Sequence, residues 1–157
     1  MTRQTILVLD FGSQYTQLIA RRLRELSVYS EIVPFDTSAD RVDARQPVGI
    51  ILSGGPASVS DEGAPRCDPA IFTLGAPVLG SCYGMQVMTE ALGGRVARAP
   101  EREYGHARVR LERTRSLFGA LPEELRVWAS HGDFVAVAPP GFAVVATSAN
   151  APVAAME

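Results

Sequence analysis

The chain, 157 residues long, has little of the chemistry-bearing side chains: two cysteines, Cys67 and Cys82, two histidines, His106 and His131, and one tryptophan. A single Cys67–Cys82 bridge would add little to a domain of this length, so the thiols point to a reducing compartment. No run of 18 apolar residues occurs, which argues against a transmembrane helix. The opening Met1-Thr2-Arg3-Gln4 enters a strand-like segment without the apolar region of a secretory signal, and a cytoplasmic location is expected. Basic blocks are missing as well. Lys and Arg total 15 against 17 Asp and Glu, for a formal net charge of -2, which argues against nucleic acid as a partner. What remains, 46% hydrophobic and 20% charged, suits one globular domain over residues 1–157 with a core of its own.

One of the two thiols lies in a distinctive setting. Val78-Leu79-Gly80-Ser81-Cys82-Tyr83-Gly84-Met85-Gln86 reads as a strand, a sharp turn and the start of a helix that stops at Gly93-Gly94. A nucleophile on such a turn projects from the end of a sheet, with the following backbone N–H aimed at the same space. Glycines on either side allow the tight bend and close approach of helix to strand. The helix start is expected to lower the thiol pKa from about 8.5. Cys82 is therefore the candidate nucleophile, whereas Cys67, in Pro65-Arg66-Cys67-Asp68-Pro69, reads as a loop residue without a role.

Along the chain, residues 5–10 form a near-continuous apolar run, as in a central parallel strand covered on both faces. A helix follows, with Tyr15, Leu18, Ile19, Leu23 and Leu26 expected on its packed stripe. Further strands are expected at 28–34, 48–52 and 77–79, a short polar helix at 38–44 and another helix at 68–74. This alternation predicts a doubly wound, mostly parallel α/β sheet. Sites in such sheets lie beyond the carboxyl ends of the strands. Three loops should meet there: Asp10-Phe11-Gly12-Ser13, Ser53-Gly54-Gly55-Pro56 and the Cys82 turn.

The first of these loops lacks a Walker lysine and the G-x-G-x-x-G spacing, so it reads as structural. Gly-Gly-Pro reads either as a plain turn or, beside a nucleophile, as an oxyanion donor. After Gly94 the pattern alternates. Ala107, Val109 and Leu111, then Leu125, Val127 and Ala129, interleave with polar residues, and residues 142–147 form another strand. This half reads as an antiparallel extension of the sheet, with Ser130-His131-Gly132-Asp133 as a polar turn. His106 reads as a surface residue. His131 is better placed, yet Asp133 could orient it only through very tight local geometry, so no convincing general base is found.

The motifs in order, Leu9-Asp10-Phe11-Gly12-Ser13-Gln14-Tyr15-Thr16-Gln17-Leu18-Ile19-Ala20-Arg21-Arg22, Ile50-Ile51-Leu52-Ser53-Gly54-Gly55-Pro56, Cys82-Tyr83-Gly84-Met85-Gln86, Leu92-Gly93-Gly94, Arg102-Glu103-Tyr104-Gly105 and Trp128-Ala129-Ser130-His131-Gly132-Asp133, span essentially the whole chain. Together they resemble the class I (triad-type) glutamine amidotransferases, within them the amino-terminal domains of the GMP synthase family. The resemblance implies a flavodoxin-like fold and glutamine hydrolysis by Cys82, with the backbone N–H groups of Gly55 and Tyr83 as oxyanion hole. It also implies that Gln86, Ser130, His131, Gly132 and Asp133 hold the substrate L-glutamine. No metal or cofactor is implied for this domain; ATP and Mg belong to a carboxy-terminal ATP-pyrophosphatase domain, in a full-length protein expected to be a homodimer.

Two departures from the family pattern stand out. Ser81 occupies a position where the family carries an aliphatic residue, which puts a hydroxyl at a strand end expected to be buried. The family's catalytic His-Pro-Glu segment would fall beyond Glu157, so the 157 residues are expected to form a domain incomplete at its C-terminus and inactive by themselves. Two other readings of the residues are a cysteine-elbow deglycase-like enzyme and a non-catalytic regulatory or interaction module on the same fold.

Overall fold

The computed structural model describes residues 4–112 and 117–157, the side chains of 100–103 excepted. The expected reading of residues 1–3, and the side chains of Arg102 and Glu103 in the fifth motif, lie outside the described residues. The chain divides into two compact units, Met1–Met88 and Thr89–Glu157.

In the first unit, β1 (Thr5–Asp10), β2 (Tyr29–Pro34), β3 (Gly49–Leu52) and β4 (Val78–Gly80) form one parallel sheet in the order β2-β1-β3-β4. The apolar runs of β1 and β3 lie at its centre, where Leu7, Val8, Leu9, Ile50 and Leu52 are buried. This is the order of a flavodoxin-like sheet, whose ligand crevice opens where the connections diverge, between β1 and β3. The loops leaving those two strands are the ones singled out from sequence.

Helix α1 (Thr16–Glu25) follows β1, but its buried face differs from the expected one. Thr16 and Ala20 are buried, while Tyr15, Leu18 and Leu26 are exposed. The reason is polar and steric. The Thr16 hydroxyl donates to Asp10 Oδ1 at 2.8 Å and the Ser30 hydroxyl donates to the Ala20 carbonyl at 3.0 Å, so the small residues face the sheet. Helix α2 (Ala39–Asp43) lies as expected, and the helix expected at 68–74 is a 3₁₀ turn, Pro69–Thr73. Asp68 caps that turn through the N–H of Ala70 at 3.0 Å and accepts from the N–H of Ala39 at 2.8 Å. Helix α3 (Tyr83–Ala91) follows β4.

The second unit is an antiparallel sheet of β5 (Arg95–Leu111), β6 (Glu124–Val137), β7 (Val144–Ser148) and β8 (Ala155–Met156), in the order β6-β5-β7-β8. The part after Gly94 is antiparallel, as expected, and in the described residues its strands pair among themselves. The alternation in sequence is realised: Ala107, Leu111 and Ala129 are buried, and Arg108, Arg126, Trp128 and Ser130 are exposed. Ser130-His131-Gly132-Asp133 is not a turn but continuous β6. It faces β5 across a register shift between Arg98 and Glu103, where the extra residues lie on β5 and β6 runs on unbroken. Among the described residues no helix is long and apolar enough to cross a membrane.

Candidate active site

Cys82 has φ +52°, in the left-handed region, which costs an ordinary L-residue about 1–2 kcal/mol. The packing around it imposes this torsion. The Ser81 N–H donates to the Leu52 carbonyl at 3.0 Å, continuing the β3–β4 pairing, while the Cys82 carbonyl already accepts from the N–H groups of Met85 at 3.0 Å and Gln86 at 3.2 Å. Strand becomes helix across two residues, Ser81 and Cys82. Two glycines leave the space for it: a Cβ on Gly80 would come within 2.7 Å of the Met85 nitrogen, and one on Gly84 would collide with the Leu52 carbonyl. Ser81 is exposed, so its hydroxyl carries no burial penalty, contrary to the expectation.

The Tyr83 N–H hydrogen-bonds the sulfur of Cys82, as expected of an amide that follows a nucleophile on such a bend. The thiol pKa, however, moves the other way from the sequence expectation. Desolvation pushes it up, and the Tyr83 N–H pulls it only partly back. Part of residue 82 reaches solvent, yet protein crowds the thiol enough for burial to outweigh the helix start. Activation of this sulfur therefore needs a proton acceptor. Cys67 lies in a loop, as expected, and is buried there, its thiol pushed up to about 11 by desolvation.

The three loops converge on Cys82. A Cβ on Gly54 would lie 3.4 Å from the Cys82 Cβ and 3.6 Å from the Ser13 Oγ, so the glycine pair and the loop after β1 both border Cys82. Gly55 packs so tightly on the β1 loop that its Cβ would come within 2.5 Å of the Phe11 carbonyl oxygen. Among the described residues, the Gly55 N–H donates to no protein acceptor. The β1 loop itself is structural, as read from sequence: Asp10 Oδ1 accepts from the Gly12 N–H at 2.9 Å, and Ser13 Oγ accepts from the Tyr15 N–H at 3.0 Å.

Tyr83 is almost wholly buried, its ring 5.5 Å from that of Phe11. Gln86, one helical turn beyond Cys82, is buried on α3. The remaining residues expected to bind substrate, Ser130, His131, Gly132 and Asp133, lie on β6 of the second unit, Asp133 buried and Ser130 exposed. His106, read as a surface residue, is exposed and meets the Trp128 ring edge-on at 5.2 Å. Sequence reasoning singles out Ser53 only as part of its loop. Its buried hydroxyl bridges two of the converging loops, and the available signal is a hydroxyl that ends an apolar run just before two glycines.

A thiol on a left-handed strand-to-helix bend, with a backbone amide on its sulfur and a glycine loop against it, is a geometry suited to a cysteine nucleophile in an α/β fold. The chain belongs to the class-I glutamine amidotransferase family, whose model matches residues 7–157. It is 54% identical over 156 residues to a glutamine-hydrolysing GMP synthase of Syntrophomonas wolfei, covering 99% of this chain and 31% of that protein. With its Parafrankia counterpart it shares 57% over 152 residues, or 97% of this chain and 28% of the relative. The chain thus spans about a third of the length of these curated relatives. Among solved structures, a Thermoplasma acidophilum protein assigned to the GMP synthases superposes with a TM-score of 0.88 at 31% identity, covering 100% of this chain and 79% of that one. A Thermotoga maritima glutamine amidotransferase shares the fold with a TM-score of 0.74 at 21% identity, covering 96% of this chain and 70% of that one.

Proposed function

We propose that this chain is the glutaminase part of a GMP synthase. Cys82 attacks the side-chain carboxamide of L-glutamine, and the carbonyl oxygen gains negative charge in a tetrahedral adduct held by the N–H groups of Gly55 and Tyr83. The C–N bond then breaks, ammonia leaves with a proton, and water hydrolyses the γ-glutamyl thioester to glutamate and free thiol. Gln86 holds the amino-acid end of the substrate. The observation that carries this reading is the Tyr83 N–H on the sulfur of a left-handed Cys82. The GMP synthase names of relatives that are more than half identical give it its substrate context.

In the whole protein the ammonia passes to an ATP-pyrophosphatase domain that uses ATP and Mg to adenylate XMP and aminate it to GMP. That protein is a cytoplasmic homodimer, and this domain needs no cofactor of its own. The proton acceptor that the raised Cys82 thiol requires comes from the family's His-Pro-Glu segment; general acid–base help of this kind is worth about 100- to 10,000-fold.

The test is covalent labelling of Cys82 by a diazo-ketone analogue of glutamine, with and without glutamine, together with ammonia release from residues 1–157 and from a chain extended through the His-Pro-Glu segment. Glutamine-protected labelling in both, with ammonia from the longer chain alone, is expected. Labelling that glutamine does not protect would favour a non-catalytic module, and equal ammonia release would remove the role given to the distant base.

A further inference from the structure

Ser53 is completely buried at the end of β3, and its hydroxyl makes two hydrogen bonds. It accepts from the Phe11 N–H at 3.0 Å and donates to the Gly54 carbonyl at 2.9 Å. The first bond takes a lone pair on Oγ and leaves the hydroxyl hydrogen for the second. Its backbone N–H is held as well, by the Leu9 carbonyl at 3.0 Å. The side chain is therefore pinned from both sides of the crevice, between the loop after β1 and the loop after β3, with no water competing.

The Gly54 carbonyl belongs to the same peptide plane as the Gly55 N–H. In a trans peptide these two groups point in opposite directions, and among the described residues no peptide bond is cis. A hydroxyl holding the carbonyl on one side thus holds the N–H on the other. This peptide needs holding because a plane between two glycines can turn over at little steric cost. Turned over, it would offer carbonyl oxygen, not N–H, where a developing anion must be accommodated, and repulsion would replace attraction.

We propose that Ser53 is the positioning residue of the oxyanion hole, its hydroxyl locking the Gly54–Gly55 peptide with the Gly55 N–H available to the Cys82 adduct. The inference rests on the glutaminase reading above. Ser53 touches neither substrate nor sulfur; it acts through the peptide. Its removal should lower the rate without abolishing it, since losing an oxyanion donor outright costs about 100- to 1,000-fold and a loosened donor keeps part of its effect.

The experiment uses the full-length enzyme and its Ser53→Ala and Ser53→Cys variants, the second slightly larger and a weaker donor. The readouts are kcat and KM for glutamine hydrolysis, inhibition by glutamate γ-semialdehyde, and the pH profile of Cys82 alkylation by iodoacetamide. The semialdehyde adds the thiol across its carbonyl, S–C bond formed and proton moved to oxygen, so the former carbonyl oxygen sits in the oxyanion position. Expected for Ser53→Ala is a kcat lowered about 10- to 100-fold with KM nearly unchanged, semialdehyde affinity weakened in parallel, and an unaltered alkylation profile, with Ser53→Cys in between. Unchanged kcat and semialdehyde affinity in either folded variant would overturn the proposal. So would alkylation and KM deteriorating together with kcat, the signature of general disorder. If the unmodified enzyme is neither protected by glutamine nor inhibited by the semialdehyde, the glutaminase reading itself fails, whatever the Ser53 variants do.

Discussion

The hydroxyl of Tyr83 donates to the carbonyl oxygen of Pro65 at 2.7 Å, tying the residue after Cys82 to the long connection between β3 and β4. The ring beside it packs on Phe11, so one side chain links α3, the β1 loop and that connection. Replacing Tyr83 by Phe keeps the ring contact and leaves the Pro65 carbonyl to water. The expected loss is about 1 kcal/mol of stability, with the Tyr83 backbone N–H still on the sulfur, so iodoacetamide should alkylate Cys82 at an unchanged rate. Urea unfolding and alkylation kinetics check the two halves separately.

Both thiols have pKa values raised by burial, which fixes the sign of a pH effect. A thiol whose folded-state pKa lies above its unfolded value stabilises the fold fully below the unfolded pKa, and that contribution is lost as pH rises towards the folded one. For Cys67, raised from 9.0 to about 11, the window is pH 9 to 11. Stability should fall across it by on the order of 2–3 kcal/mol from this residue. Denaturant melts at pH 8, 9.5 and 11 measure the loss, and Cys67→Ala should flatten it.

The same direction at Cys82 concerns reactivity. Alkylation by iodoacetamide in residues 1–157 should keep rising past pH 9, because the thiolate is the nucleophile and burial holds the thiol protonated. A plateau already reached at pH 7 would mean that the helix start outweighs desolvation after all.

Strain at the bend makes a stability comparison possible. Since Cys82 sits at φ +52°, glycine there should be more stable than alanine by about 1 kcal/mol, even though glycine usually loses to alanine. Thermal melts of Cys82→Gly and Cys82→Ala test this, and both variants lose all labelling.

The glycine four residues beyond Gly80 is the least replaceable. Gly84→Ala drives a methyl into the Leu52 backbone, which belongs to the central sheet and cannot give way cheaply. A loss of more than about 3 kcal/mol is expected, whereas Ser81→Ala, at an exposed position, should stay within about 0.5 kcal/mol. Calorimetry on the two variants side by side separates a steric requirement from mere proximity to the nucleophile.

What can be read from the sequence follows from how local each cause is. The buried strands β1 and β3 announce themselves as apolar runs, and the Cys82 bend is encoded by its own flanking glycines. Periodicity picks the wrong face of α1 because Leu18 and Leu26 fit a helical stripe, while the actual contact is set by two hydroxyls, Thr16 and Ser30, that periodicity does not weigh. Residues 130–133 contain a glycine and an aspartate, good turn formers alone, but pairing with a strand as long as β5 overrides them. The direction of the Cys82 pKa depends on how many atoms surround the sulfur, a tertiary quantity. Ser53 is inconspicuous in sequence for the same reason: its importance lies in the partners that folding brings to it.

The left-handed torsion at position 82 is a property of the main chain, fixed by β4, α3 and the glycines within them, Gly80 and Gly84. It determines where a γ atom is delivered but is indifferent to which element that atom is. Oxygen or selenium would arrive at the same point. The choice of sulfur is therefore left to the chemistry asked of the site, and architecture and reagent are separable inventions within one bend.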